Sequence, residues 1–333
     1  MGLLNTFDKP VFLKEDSDTI QFLCRLKELQ TQASGKAKYI IDREIKLASM
    51  GEIGEKNIAF ELKNSGMQMY IMHDMHFEIN GLSAQVDYIV VTRKITFIIE
   101  CKNLIGDIDI DSEGNFIRKY ELNGKRIKEG IYSPITQNQR HLEILRQIKR
   151  ESKGNMLSKM LFDKYFDENY KSIVVLANPK TVLNARYAKK EVKQMVIRAD
   201  QLNKYIKNVY QQSKQPALND RDIKEFAEGL LALHTPNKSD YTKKYELLLK
   251  NISDADKQTH NKAELIKQLK EFRLQRSREE NIKPYYIFSD KQMMDLIDKM
   301  PNSKEELLQV SGFGEVKTEK YGDIILKIIS GYS

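Results

Sequence analysis

The sequence predicts an α/β protein with a mixed sheet flanked by helices, followed by a small all-α C-terminal domain. Three observations carry that prediction. Val86, Ile89, Val90 and Val91, then Ile95, Phe97, Ile98 and Ile99, form two short runs rich in β-branched and aromatic residues, the composition of paired and largely buried strands. Segments with apolar residues three and four apart lie on both sides of these runs. From residue 264 onward the pattern is helical throughout.

Taken in order, residues 16–32 read as a helix capped by Asp16 or Asp18, with Ile20, Leu23, Leu26 and Leu29 as its apolar stripe. Ser34 and Gly35 interrupt, and helical spacing resumes through Ile40, Ile41, Ile45 and Ala48. Gly51 and Gly54 permit either close backbone approach or a break before a helix through Glu55, Ile58, Ala59 and Leu62, which Asn64, Ser65 and Gly66 stop. Residues 69–79 read as a strand, Asn80 and Gly81 as a turn, and 85–101 as a hairpin. Residues 106–110 and 116–122 are expected to continue the sheet, with turns at Glu113 to Asn115 and at Asn123 and Gly124. A helix over about 136–150 turns Leu142, Leu145 and Ile148 to the sheet and sets Gln137 and His141 together on a neighbouring face. Residues 172–178 form another buried strand, and 201–212 and 220–233 are helical. Thr235 to Asp240 reads as a surface break, and the polar stretch 251–261 as a domain boundary.

The hairpin carries the chemistry. With Arg93 and Lys94 as a two-residue turn, Thr92 faces Ile95, and counting outward sets Asp87 opposite Glu100 and Gln85 opposite Lys102. Opposed residues share a face about 5 Å apart at Cβ, and residues two apart on a strand share a face, so these four side chains converge. Two carboxylates side by side on an apolar hairpin repel and lose solvation, which a divalent cation would offset. The competing reading is a solvated strand end with an unimportant ion pair. A register one residue different would separate Asp87 from Glu100, and spacing alone leaves both readings open.

These residues fall within a set of motifs: GEIGE at 51–55, QVD at 85–87, ECKN at 100–103 with Gly106 behind it, and SPITQNQRH at 133–141. The set resembles the NERD, or nuclease-related, domain of the restriction-endonuclease-like nuclease superfamily, over roughly residues 40–180. The resemblance implies a restriction-endonuclease-like core, an Asp and a Glu-x-Lys at Asp87, Glu100 and Lys102, and Glu55 as a further acidic ligand in preference to Glu52. Mg²⁺ or Mn²⁺ is the cofactor so implied, held by Asp87, Glu100, Glu55 and the Cys101 backbone carbonyl, which are hard oxygen donors. Lys102 would orient water or stabilise charge, and Gln85 would position water or phosphate. His141 and Gln137 are candidate substrate contacts, with a plain helix-surface hydrogen bond as the alternative for His141.

The tail begins with a strong helix former carrying Lys270, Arg273 and Arg276, after which NIKPYYIFSD interrupts and three further helical patterns follow. KPYYIF, PNSKEELL, GFG and EKYG in that order resemble the HRDC domain found at the C-terminal ends of RecQ-type helicases and RNase D enzymes. Such domains engage nucleic acid or protein, which makes Lys270, Arg273, Lys317 and Lys320 candidate phosphate contacts. Gly312 and Gly314 read as a tight helix connection with Phe313 beneath it, ahead of a phosphate-binding nest. The expected domains are an N-terminal helical extension (1–40), the nuclease-like core (41–180), a helical extension and linker (181–260) and the HRDC-like domain (261–333).

Composition sets the frame. A chain of 333 residues, 41% hydrophobic and 31% charged, can bury a sizeable core. No apolar run reaches the roughly 18 residues of a spanning helix, and the N-terminus lacks a secretion pattern, so a cytoplasmic protein away from membranes is expected. Cys24 and Cys101 read as buried thiols, and the five histidines are scattered. The net charge of +8 favours a polyanion. Residues 264–333 hold 12 basic and 12 acidic residues, so the whole excess lies in the part containing the hairpin. The expectation is a metal-dependent nuclease acting on nucleic acid, DNA rather than RNA, and capable of pairing as a homodimer. A nucleic-acid-binding adaptor of weak activity and a protein-interaction module in stress response or defence are the alternatives.

Overall fold

The computed structural model describes residues 8–237 and 240–332, with only the backbone course of 251–260. Residues 1–7 of the expected N-terminal extension and 238–239 of the expected surface break lie outside the described residues. The chain divides into two compact units, Met1–Thr242 and Lys243–Ser333.

The first unit opens with β1 (Pro10–Lys14) and α1 (Asp18–Gln32). Ser17, rather than Asp16 or Asp18, caps α1, because its hydroxyl accepts from the Thr19 N–H. Asp18 is already inside the helix. Leu23, Leu26 and Leu29 are buried as the spacing predicts, while Ile20 is exposed. Next, α2 (Gly35–Lys63) runs without a break through both Gly51 and Gly54 and ends at Asn64.

An antiparallel run follows: β2 (Met69–Ile79), β3 (Leu82–Val91) and β4 (Thr96–Lys102). Asn80 and Gly81, both at positive φ, join the first pair. Then come β5 (Asp107–Ile110), β6 (Phe116–Leu122) and β7 (Lys125–Ile131). Beyond them lie α3 (Pro134–Glu151), α4 (Met156–Asn169) and β8 (Tyr170–Leu176). The unit closes with β9 (Leu183–Asn184), α5 (Lys190–Met195), β10 (Val196–Arg198), α6 (Leu202–Gln212) and α7 (Asp220–Leu231).

The main sheet is mixed, six strands in the order β1-β2-β3-β4-β8-β10, with β4, β8 and β10 parallel. One face packs on α2 and α6 through Ile58, Leu62, Val90, Phe97, Ile99 and Ile206. The other packs on α3, α4 and α7 through Met72, Ile89, Ile98, Leu145, Phe166 and Ile223. Contrary to the expectation from sequence, β5 and β6 do not continue this sheet. They form a second, four-stranded sheet in the order β7-β6-β5-β9. Ile108, Ile110 and Phe116 pack there with Val174, Leu176 and Ile135 in a core of their own. Residues 181–242 are not an appendage, since β10 is an edge strand of the main sheet and α7 covers one of its faces.

Asn138 on α3 is fully buried and donates from Nδ2 to the Ile98 carbonyl at 2.9 Å and the Ile173 carbonyl at 3.0 Å. One amide thus clamps the adjacent strands β4 and β8.

In the second unit, α8 (Lys243–Glu279) runs as helix through 251–261, so the stretch expected as a boundary is helical and the division falls before it. Four shorter helices complete the unit: α9 (Pro284–Ile287), α10 (Asp290–Lys299), α11 (Lys304–Leu307) and α12 (Glu315–Ser330). They enclose a core of Leu269, Phe272, Phe288, Leu296, Phe313 and Ile325. Gly312 has φ +78°, and a Cβ there would collide with the Gln292 side chain, so the tight-connection reading of the GFG turn holds with Phe313 buried below it. Among the described residues, no helix is long and apolar enough to cross a membrane.

Replacing Asn138 with Leu is expected to lower the unfolding free energy by about 2 kcal/mol, since two buried carbonyls lose a donor. Denaturant titration measures it. In the second unit Glu280 accepts from Lys320 Nζ at 2.6 Å and from the Tyr321 hydroxyl at 2.9 Å. The Lys320 hydrogen bond, ahead of the Tyr321 one, holds the Glu280 carboxyl below its ordinary 4.5. A depressed folded pKa stabilises above the unfolded value and is lost as pH falls through the folded one. Glu280→Gln is therefore expected to be less stable than the parent at pH 7, with the difference disappearing in acid, as urea titrations across pH would record.

Candidate active site

The register of the β3–β4 hairpin is the one the two-residue turn requires. Thr92 N–H donates to the Ile95 carbonyl, and the ladder runs Val91 with Thr96, Val90 with Phe97, Ile89 with Ile98 and Tyr88 with Ile99. The next rung outward is Asp87 with Glu100. There the backbone ladder stops, and Asp87 Oδ2 accepts the Cys101 N–H at 2.6 Å in place of a strand carbonyl. The alternation of side chains also skips at this rung. Tyr88 and Val90 face α2, while Val86 joins Ile89 and Val91 on the opposite core, and β2 does the same between Ile71 and Met75. Asp74, at the break in β2, has φ +54°. Such an irregularity bends strands and re-aims side chains.

Glu100 is 2% exposed. Lys102 Nζ donates to its Oε1 at 2.5 Å, and His141 Nδ1 stands 3.5 Å from its Oε2. At that separation neither Oε2 nor Nδ1 has a hydrogen-bond partner, although both atoms are buried. Burial first, then the charges of Glu100 and Glu55, push the Asp87 carboxyl well above the ordinary carboxylate range, against the Cys101 N–H and Lys102. Asp87 thus feels the charge of both other carboxylates. The Cys101 thiol is buried in the α2-side core, and burial, then Asp87, pushes its pKa up, which keeps it a packed thiol.

Glu55 reaches the site from α2. Its Oε2 is held by His73 Nε2 at 2.9 Å, and its backbone carbonyl accepts the Tyr88 hydroxyl at 2.8 Å. His73 also stacks on the Tyr88 ring with centroids 4.5 Å apart. Burial works to lower the His73 pKa, but the Glu55 hydrogen bond, with help from the Glu15 carbonyl, leaves it raised. Glu52, the other acidic candidate of the motif, pairs with Lys56 at 2.8 Å. The preceding Gly54 allows α2 to approach β4: a Cβ there would stand 2.5 Å from the Asn103 Cβ and 3.2 Å from the Cys101 sulfur.

Gln85 differs from expectation. It pairs with His76 across β2, and its Nε2 donates to Asp74 Oδ1 at 2.6 Å. Because β3 follows β2 past the break at Asp87, the register that would set Gln85 against Lys102 no longer applies. Gln137 lies one turn before His141 on α3, half-buried, as the spacing predicts. In the second unit Arg273 pairs with Asp290 at 2.7 Å and Lys320 with Glu280 at 2.6 Å. Lys270 and Lys317 make no ion pair among the described residues.

A hard divalent cation suits the chemistry of the donors, which are carboxylate oxygens, one of them buried and unmet at Glu100 Oε2. The mutual repulsion written into Asp87 is also what a cation relieves. Among the described residues, however, no three His, Cys, Asp or Glu side chains are gathered closely enough to hold a metal ion as they stand. Glu55 is turned to His73.

Sequence reasoning passed over His73, Asp74, Tyr88 and Asn138. A histidine and an aspartate inside the otherwise apolar strand MYIMHDMHFEI were the available signal for the first two. Asn138 carried none beyond its place between Gln137 and His141.

Residues 50–177 match the family profile of the nuclease-related domain (NERD), and residues 262–329 that of the HRDC domain. The chain therefore carries a nuclease-related domain followed by an HRDC domain. It is 32% identical over 93 residues to the ATP-dependent DNA helicase RecQ of Haemophilus influenzae, covering 25% of this chain and 15% of that protein. It is 34% identical over 70 residues to the ATP-dependent DNA helicase RecQ of Bacillus subtilis, covering 21% of this chain and 12% of that one. With the ATP-dependent DNA helicase UvrD2 of Mycobacterium bovis it shares 32% over 68 residues, 20% of this chain and 10% of the helicase. The chain thus spans less than a sixth of the length of each of these relatives.

The two glycines of the GEIGE motif separate by substitution. Gly54→Ala forces Asn103 and β4 away from α2 and is expected to cost about 1–3 kcal/mol of stability. Gly51→Ala, with nothing within 4 Å of the new methyl, is expected to gain up to about 1 kcal/mol from helix propensity. Paired denaturant melts would show both signs.

Proposed function

We propose that this chain is a metal-dependent nuclease with a restriction-endonuclease-like core, hydrolysing phosphodiester bonds in DNA, with the HRDC domain as an accessory nucleic-acid contact. The observation that carries this reading is the convergence of Asp87, Glu100 and Lys102 at the one rung where the hairpin ladder opens. A buried carboxylate in contact with an ammonium group, beside a second carboxylate whose pKa is raised by burial first and then by the charges of Glu100 and Glu55, is an arrangement a fold has little reason to keep for stability alone.

Mg²⁺ or Mn²⁺ would be held by Asp87 and Glu100, with Glu55 and the Cys101 backbone carbonyl as further donors, and when bound it would neutralise phosphate charge and favour ionisation of water. The chain's own residues do the rest. Lys102, on Glu100 Oε1, brings a positive charge to the scissile phosphate and can hold a water for attack on phosphorus as the P–O bond to the leaving sugar breaks. Glu100 fixes that ammonium in place. His141, near Glu100 from the other side, is placed to donate to a phosphate oxygen. In the HRDC domain, Lys270 and Lys317 are the candidate contacts with no ion pair among the described residues, and Arg273 and Lys320 would first have to leave Asp290 and Glu280. Balanced charge in this tail suits weak, structure-dependent contact over strong capture. Cutting both strands of a duplex is simpler with two active centres, so a homodimer is part of the proposal, to be read by light scattering.

A second reading, a nucleic-acid-binding adaptor of weak activity, draws on the engagement of Glu55 by His73. Incubation with linear, supercoiled, single-stranded and branched DNA and with RNA, with Mg²⁺, Mn²⁺ or EDTA, discriminates the two. Cleavage is expected with metal and none in EDTA. Asp87→Ala, Glu100→Ala and Lys102→Ala should each lower the rate by about a hundredfold or more while gel-shift binding persists. Binding without cleavage under every condition would favour the adaptor, and cleavage indifferent to EDTA and to all three substitutions would overturn the mechanism.

A further inference from the structure

A cavity of about 350 Å³ lies at the turn end of the hairpin, away from the carboxylates. Its wall brings together Arg93 and Lys94 of the turn with Lys149 and Lys153 from the end of α3 and just beyond it, and no Asp or Glu lines it. The nearby carboxylates are engaged by groups other than Lys149 and Lys153, two of them by the wall residues Arg93 and Gln215. Asp163 binds Arg150 at 2.8 Å, Asp220 is held by Arg93, and Glu168 accepts from Gln215 at 2.5 Å.

Lys149 and Lys153 have no ion pair among the described residues. Each ammonium instead rests over an aromatic ring, Lys149 at 4.5 Å from the Phe226 centroid and Lys153 at 5.5 Å from that of Phe162. Lys94 Nζ donates to the Ser213 carbonyl at 3.1 Å. Burial, with the charge of Lys153 second, brings the Lys149 ammonium down to about 8. The C-terminal end of a helix favours cations, which accounts for a lysine at 149. It does not account for two partly buried lysines, Lys149 and Lys153, gathered beside the hairpin turn with no ion pair among the described residues and each lying over an aromatic ring.

We propose that this cavity binds a small phosphorylated ligand of nucleotide size, with the phosphate on Lys149 and Lys153. The chemistry is that of a phosphomonoester joined to a planar ring. The cations supply the first half, while the rings of Phe162 and Phe226 and the amides of Asn169 and Gln215 supply apolar faces and polar edges for the second. A bare inorganic anion would fill little of the space. The site is distinct from the proposed cleavage centre, since Lys149 is eight residues from His141, about 12 Å along the axis of α3. It does not depend on the nuclease reading.

Isothermal calorimetry in EDTA tests it, with AMP, inorganic phosphate and adenosine as probes. AMP should bind saturably and adenosine should not, with inorganic phosphate weaker than AMP. Lys149→Gln and Lys153→Gln should each weaken AMP by about tenfold, the worth of one charge-assisted contact. Lys102→Gln, at the other site, should leave it unchanged. A thermal melt checks folding, and Lys153→Gln serves if Lys149→Gln does not fold. A 5′-phosphorylated oligonucleotide that displaces AMP, where its 5′-hydroxyl counterpart does not, would identify a strand end as the source of the phosphomonoester. Failure of both to compete would identify a free nucleotide. The proposal is overturned if no phosphate compound binds saturably, if AMP binding survives loss of both lysines, or if it is abolished by Lys102→Gln.

Discussion

The hydrogen bond from the Cys101 N–H to Asp87 Oδ2 is the constraint on which the site depends. From Val91–Thr96 to Tyr88–Ile99 the two strands pair in regular register, and just beyond that run a side chain of β3 takes over as acceptor for a β4 amide. A carboxylate serving as a strand acceptor cannot leave without orphaning a buried amide, so Asp87 is fixed to the edge of β4 next to Glu100. The substitution is possible because the alternation of β3 skips here, in step with the left-handed Asp74 on β2. Asp74 is itself held on both oxygens, by Gln85 and by the Asp18 N–H at the start of α1. The first helix and the first three strands of the sheet thus share responsibility for the position of one carboxylate.

That position concentrates negative charge where solvent is scarce. Glu100 is almost wholly buried, with Lys102 hydrogen-bonded to one oxygen and His141 standing 3.5 Å from the other. Glu55 adds a third acidic group from the opposite face and is answered by His73. Removing charged groups from water costs several kcal/mol per ion unless each is met by a partner, and here one carboxylate oxygen is not. The hydrophobic clusters on the two faces of the sheet do not relieve this. The electrostatic demand therefore points outward, toward a ligand of positive charge or a strong donor.

Much of this was legible in the sequence for identifiable reasons. The hairpin could be read because two β-branched runs separated by three residues admit few registers, and the two-residue turn selected the one that brings Asp87 to Glu100. Strands β2 and β8 and helices α3, α6 and α7 had clean periodicity. The second sheet was misassigned because β5 and β6 are short and half polar, and nothing local says which sheet a short strand joins. The helix α4 and the strands β9 and β10 were missed, being either weakly amphipathic or two and three residues long. Gln85 was misplaced for a different reason. Counting along a strand assumes unbroken alternation, and the left-handed backbone of Asp74, invisible in a one-dimensional pattern, breaks it.

Helix α3 shows how one element can serve several ends. Asn138, His141, Leu145 and Lys149 are spaced by three, four and four residues, which places them along one stripe of the helix. The first clamps β4 to β8, the second faces Glu100, the third is fully buried and the fourth lines the cationic cavity. The stripe is polar at both ends and apolar between them, and Leu145 packs with Ile89, Ile98 and Phe166. Between His141 and Lys149 this stripe offers only the fully buried side chain of Leu145. Because the interior around Leu145 is closely packed, a ligand over Lys149 could influence the carboxylates only by shifting α3 as a rigid body, and Asn138, bonded to two strands at once, is the part of the helix that would resist.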